Sequence, residues 1–142
     1  MTRIIKVQRE PIELDAIVGE LSRPDCGAVL SFLGLVRDHA GGREVESIDY
    51  SCYEEMAAKE LDRVVARCQE RHGVAHAAVV HRIGLLAVGE ASLGLVVASP
   101  HRREAFACGL DIIDEMKKTV PIWKREFGPD GASWVDPGQP GT

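Results

Sequence analysis

Two basic clusters flank one largely apolar stretch toward the end of the chain: Ser99-Pro-His-Arg-Arg103 and Lys117-Lys-Thr-Val-Pro-Ile-Trp-Lys-Arg-Glu126. Each could do chemistry. An arginine such as Arg102 grips a phosphate or carboxylate through two parallel N–H donors, and the open backbone amides of a helix start add to that pull. Lys117 and Lys124 straddle Pro121. A lysine becomes an acid, base or nucleophile near neutrality when burial or neighbouring cations lower its pKa. Lys124 follows Trp123 in a stretch that also holds Ile122 and Phe127, so its aliphatic stem can lie against a partly dry wall. Arg37, in Arg37-Asp38-His39, joins the set if the fold brings it to the same cleft. A plainer interpretation also fits the spacing: a capped helix with solvated first-turn charges, whose last lysines complement the negative helix end.

Either interpretation needs a helix between the clusters. Over 104–116, Ala105, Phe106, Leu110, Ile112, Ile113 and Met116 recur at a spacing that predicts one buried face. Ser99 is the expected N-cap and Pro100 the first helical residue, which puts His101 and Arg102 in the first turn. Pro121 stops the helix, and the chain leaves extended over 121–127. Upstream, alternation and apolar runs predict strands at 3–8, 27–36, 45–53, 74–83 and 91–98, with a short strand at 132–135. Helices are expected at 12–21 and at 54–72, the latter with Met56, Leu61, Val64, Val65 and Cys68 as its buried stripe and Gly73 as its stop. Residues 40–43 are expected to be a mobile loop, 84–90 a turn-rich connection, and 136–142, rich in Pro and Gly, a frayed tail. The order β-α-β-β-α-β-β-α-β predicts an α+β fold, a mixed, mostly antiparallel sheet with helices packed on one side. It also predicts one domain over 1–135.

Composition narrows the function classes. A net charge of −5 argues against general nucleic-acid binding, so the basic clusters are local features on an acidic body and suit a small anionic ligand. No apolar run approaches the length of a membrane span, and the N-terminus lacks the apolar core of a signal peptide, which points to the cytoplasm. The four cysteines, Cys26, Cys52, Cys68 and Cys108, are widely separated and sit in no nucleophile or metal motif, so reduced buried thiols are expected. His76 and His81 lie five apart in a strand and should face opposite sides, which does not make a metal site of that pair. No glycine-rich phosphate loop occurs. No cofactor and no metal ligands are expected.

Taken together, five segments carry a resemblance that spacing alone cannot supply: Phe32-Leu-Gly-Leu-Val-Arg37, Ile48-Asp-Tyr-Ser-Cys-Tyr-Glu54, His81-Arg-Ile-Gly84 with Val88-Gly-Glu90, Ser99-Pro-His-Arg102, and Val120-Pro-Ile-Trp-Lys-Arg-Glu126. In this order, over 27–134, the chain resembles the large, catalytic subunit of molybdopterin synthase. The resemblance implies an α/β-hammerhead-type fold and a sulfurtransferase that converts cyclic pyranopterin monophosphate (precursor Z) to molybdopterin. Two dithiolene sulfurs would arrive as a thiocarboxylate on the C-terminal Gly-Gly of a small ubiquitin-like partner. Large subunits would pair as a homodimer within a heterotetramer. By motif, Lys117 and Lys124 match the catalytic lysines; Arg37, His101 and Arg102 match positions that hold phosphate and pterin; Arg125 and Glu126 continue the lining. The family can add a basic residue from its C-terminal part across the dimer, and 136–142 offers none here. The alternative is a non-catalytic anion- or partner-binding module on the same fold.

Overall fold

Near-continuous apolar runs at 77–80 and 93–98 need cover on both faces, and the computed structural model supplies it. It describes residues 1–135; the expected frayed tail, 136–142, lies outside them. In chain order the elements are β1 (Thr2–Gln8), α1 (Leu14–Leu21), β2 (Ala28–Leu35), β3 (His39–Ala40), β4 (Arg43–Glu44), β5 (Ser47–Ser51), α2 (Glu54–His72), β6 (His76–Arg82), β7 (Gly84–Ala87), β8 (Ala91–Ser99), α3 (Arg102–Thr119), β9 (Trp123–Gly128) and β10 (Gly131–Val135). One four-stranded sheet runs β1-β6-β8-β2, and a second runs β10-β9-β5-β7. Only the β1–β6 pair is parallel; the others are antiparallel, so the fold is α+β as expected.

Alternation along β6 and β8 sorts the core. Ala77, Val79, Leu93, Leu95 and Val97 face α2 and α3, where they meet Leu61, Val64, Val65, Cys108 and Ile112. Ala78, Val80, Val96 and Ala98 face Ile17 and Leu21 of α1. The helices therefore cover both faces of the first sheet, not one side. Strands buried on both faces cannot leave one open to water. A third cluster, Val36, Val45, Ile48, Tyr50, Ile83 and Leu86, is the core of the second sheet.

The helix stripes are narrower than the spacing suggested. In α3 the buried residues are Ala105, Cys108, Gly109, Ile112 and Met116, whereas Phe106 and Leu110 are each 63% exposed. Those two lie about 100° round the axis from Ala105 and Gly109, which turns them away from the sheet. Met56 of α2 is exposed for the same reason. Gly109 lets α3 approach: a Cβ there would meet Leu30 Cδ2 at 2.8 Å. The helices are also tied to each other, because Arg71 and His72 of α2 both donate to Asp111 Oδ2 of α3, at 2.7 and 2.8 Å.

Two expected connections are structured. Segment 84–90 contains β7, which pairs with β5. Residues 40–43 close a small β3–β4 hairpin, in which Gly41 and Gly42 both have positive φ (56° and 78°), the backbone that a two-residue turn between antiparallel strands demands. The glycines that suggested a mobile loop thus make a tight turn.

Candidate functional site

The site is assembled around β9. In its pairing with β5, Tyr50 stands opposite Lys124 and Ile48 opposite Glu126. Side chains alternate along a strand, so Lys124 and Glu126 share one face and Arg125 takes the other. Lys124 Nζ lies 5.8 Å from the centroid of the Tyr50 ring, within cation–π range. The His81 ring meets Tyr50 edge-on, with centroids 5.4 Å apart. Both rings are buried, and Glu126 is only 6% exposed. Such a buried carboxylate needs a partner, and Arg43 of the glycine hairpin supplies it through Nη2 at 2.8 Å. On the far face of β9, Arg125 lies over Phe127 and Trp134 at 5.3 and 5.5 Å.

Lys117, in the last turn of α3, and Arg37, just past the end of β2, bring further positive charge to the same place. Burial pushes Lys124 down to about 8; the charges of Lys117 and Arg37 push the same way, against the opposing pull of Glu126. Lys117 is also lowered, first by desolvation and then by Arg37, with Asp114 opposing. Beneath them, burial lowers His81 to about 4 even though Nδ1–H donates to the Arg82 carbonyl at 2.8 Å; Lys124 adds to the lowering. His81 is thus a neutral imidazole under a cationic cluster. Burial raises Tyr50 above the ordinary phenol value, so it stays a neutral phenol. The arrangement can hold an anion and can exchange a proton at Lys124 near neutral pH.

At the other end of α3 the local structure departs from the sequence expectation. The N-cap is His101, with extended φ and ψ of −127° and 153°, and Arg102 is the first helical residue. Ser99 ends β8, is fully buried and donates from Oγ to the His101 carbonyl at 2.6 Å, so it caps nothing. No side chain caps this helix start. His101 and Arg102 are exposed there. Lys117 lies fifteen positions after Arg102 along α3, about 22 Å at 1.5 Å per residue. One chain therefore brings Arg37, Lys117 and Lys124 together and holds His101 and Arg102 well away from them.

Tyr50, His81 and Arg43 line or support the site without having been singled out as site residues. Alternation through Ile48, Tyr50 and Cys52 placed Tyr50 on an inward face, but nothing local tells which strand will lie across from it. Arg43 carried no signal at all, because its partner is 83 residues away.

Comparison with known proteins agrees with the fold and the motif set. The family model described as "MoaE protein" matches residues 7–119. The molybdopterin synthase catalytic subunit of Pyrococcus abyssi is 41% identical over 127 residues, spanning 89% of this chain and 86% of that protein. The crystal structure of molybdopterin synthase from Staphylococcus aureus superposes with a TM-score of 0.88 at 32% identity, covering 93% of this chain and 96% of that one. A protein–protein complex of subunits 1 and 2 of the molybdopterin-converting factor from Helicobacter pylori gives a TM-score of 0.76 at 20% identity, over 92% and 88% of the two chains, a likeness of fold. With a family model over most of its length, relatives of this closeness and the same architecture, the chain belongs to the MoaE family, the catalytic subunits of molybdopterin synthase.

Proposed function

We propose that this chain is a sulfurtransferase that converts precursor Z to molybdopterin, using sulfur carried as a thiocarboxylate on the C-terminal Gly-Gly of a small ubiquitin-like subunit. The observation that carries the reading is the convergence of Lys117, Lys124 and Arg37 on an otherwise acidic protein, with both lysine pKa values lowered by burial and by neighbouring cations, Arg37 for both and Lys117 for Lys124. In this reading Lys117 lies beside the thiocarboxylate and moves protons during sulfur delivery. Lys124 supports that step and, as an ammonium, holds substrate charge, while Tyr50 and neutral His81 form the wall that keeps it partly dry. Arg37 binds the anionic substrate. Glu126 limits the loss of charge on Lys124, and Arg43 pairs with Glu126. Arg125, on the opposite face of β9, contributes at the rim at most.

His101 and Arg102 bind phosphate and pterin in this reading, and they serve the Lys117 of a second copy. Two observations support a dimer. One is the separation of the two residue sets along α3. The other is β2, an edge strand whose Val29, Phe32, Leu33 and Leu35 are all substantially exposed, next to exposed Phe106 and Leu110. Unpaired apolar edges of this kind are covered in stable proteins. Among the described residues no helix is long and apolar enough to cross a membrane.

The direct test mixes the protein with a thiocarboxylated small subunit and precursor Z and measures dithiolene product. Product formation is expected; none from well-folded protein that binds both components would falsify the enzymatic reading. Lys117→Ala is expected to abolish nearly all product while binding the small subunit normally, and unchanged turnover would remove Lys117 from the mechanism.

A further inference from the structure

At the opposite end of the first sheet from the lysines, the fold gathers a second set of chemically active side chains. Residues 23–26 form a turn closed by the Cys26 N–H donating to the Arg23 carbonyl at 3.0 Å, with Pro24 at the position that fixes its φ. The turn presents Asp25 and Cys26 just before β2. His76 opens β6, where alternation turns it to the α1 face with Ala78 and Val80, the face to which Cys26 also packs. One carboxylate oxygen of Asp25, the Cys26 sulfur and one ring nitrogen of His76 all lie within 4.8 Å of one another. Among the described residues this is the one set of three or more His, Cys, Asp or Glu side chains so placed.

A second observation singles out the imidazole. His76 Nδ1 is buried and has no hydrogen-bond partner. A buried ring nitrogen left without a partner costs free energy unless something outside the protein satisfies it. The donor types say what that would be. Thiolate, imidazole and carboxylate together suit zinc; magnesium and calcium take oxygen donors. Bonds of ~2.3 Å to sulfur and ~2.0–2.1 Å to nitrogen or oxygen make tetrahedral edges of about 3.3–3.6 Å. Cys26 Sγ and Asp25 Oδ1 are already 3.7 Å apart. Asp25 is exposed and can close the remaining gap by side-chain rotation.

We propose that Asp25, Cys26 and His76 form a zinc site with three protein ligands and a fourth, open position for water. Zinc displaces the thiol proton to solvent, and the thiolate and the carboxylate together balance the charge of the cation. Its neighbours give the site a structural consequence. His76 pairs with Ala98 and Ala28 with Ser99, and Gly27 lies so close to Pro100 that a Cβ would meet the Pro100 oxygen at 2.7 Å. A bound cation would therefore pin the α1–β2 turn to β6 directly beneath the segment that starts α3.

The test uses the full-length reduced protein after chelator treatment, titrated with Zn2+ by calorimetry and with Co2+ by absorption. One equivalent is expected, with a thiolate-to-cobalt charge-transfer band and intense tetrahedral d–d bands. Cys26→Ser is expected to abolish the charge-transfer band. His76→Ala and Asp25→Asn should each weaken Zn2+ by more than about a hundredfold, beyond the roughly 10–100-fold that loss of an outer-shell partner costs. The charge-transfer band surviving in Cys26→Ser would mean that Cys52, Cys68 or Cys108 binds the metal, and it would overturn the proposal, as would the absence of stoichiometric binding. Asp25 is exposed, so its variant should fold; unaltered affinity in Asp25→Asn removes it from the ligand set and refutes the three-ligand site.

Discussion

Lys124 sits where a cation is disfavoured, half-buried against Tyr50 and close to two other positive groups, and its lowered pKa follows from that position. The sign of the consequence is fixed. Its ammonium is intact below about 8 and is lost as the pH rises through that value. If the ammonium holds substrate charge, KM for precursor Z should climb as pH passes about 8, and Lys124→Arg, charged throughout, should keep KM flat over the same range; parallel profiles for the two proteins would rule this out. His81 works in the other direction. Its folded pKa of about 4 lies below the unfolded value near 6.5, so the unfolded chain binds the extra proton between those limits. Stability should be full above about pH 6.5 and fall toward pH 4 by roughly 3 kcal/mol. His81→Gln should remove that slope from a urea-denaturation series. Lys117 and Lys124 were legible from residue type and motif. The reasons for their lowered pKa values were not, because burial and the approach of Arg37 from the end of β2 depend on how the elements pack.

At the scale of elements, long periodic segments were legible and short ones were not. α2 matched its expected span of 54–72, β6 fell inside its expected strand and β8 ran one residue past its own, because each is fixed by its own apolar pattern. β7 was missed, since four residues between glycines carry no period, and it is a strand only because β5 offers it an edge. The start of α3 moved for a related reason: Ser99 has the right chemistry for a cap but is committed to β8. The β3–β4 hairpin depends on two positive φ angles, so its stability can be tested simply. Gly42→Ala should cost about 1–2 kcal/mol, the penalty for a side chain in the left-handed region. A drop in melting temperature is the expected readout, together with a weakened Arg43–Glu126 pair.

At the scale of the whole molecule, α3 separates the residues that the motif set groups together. The proposed two-fold dimer would restore them to each other, and this gives a test by mixing. Lys117→Ala and Arg102→Ala should each be nearly inactive alone. Co-expressed or refolded together, half of the dimers are mixed, and each mixed dimer contains one site with both defects and one with neither. Activity should recover to roughly a quarter of wild type. No recovery from verified mixed dimers would show that Arg102 serves its own chain. The sequence could not show this separation, because motif spacing measures distance along the chain and not across the fold.

The thiols of the central core have a practical consequence. Cys68 and Cys108 are almost fully buried between α2, α3 and the first sheet, and burial, aided by the nearby charge of Asp111, raises them to about 12 and 11. In the folded state neither presents a thiolate to a reagent. Cys26 and Cys52 are only partly buried. In metal-free protein a pulse of alkylating agent should therefore mark Cys26 and Cys52 quickly and reach Cys68 and Cys108 only when the core opens. The slow labelling phase becomes a built-in clock for global unfolding, readable by mass without any introduced probe.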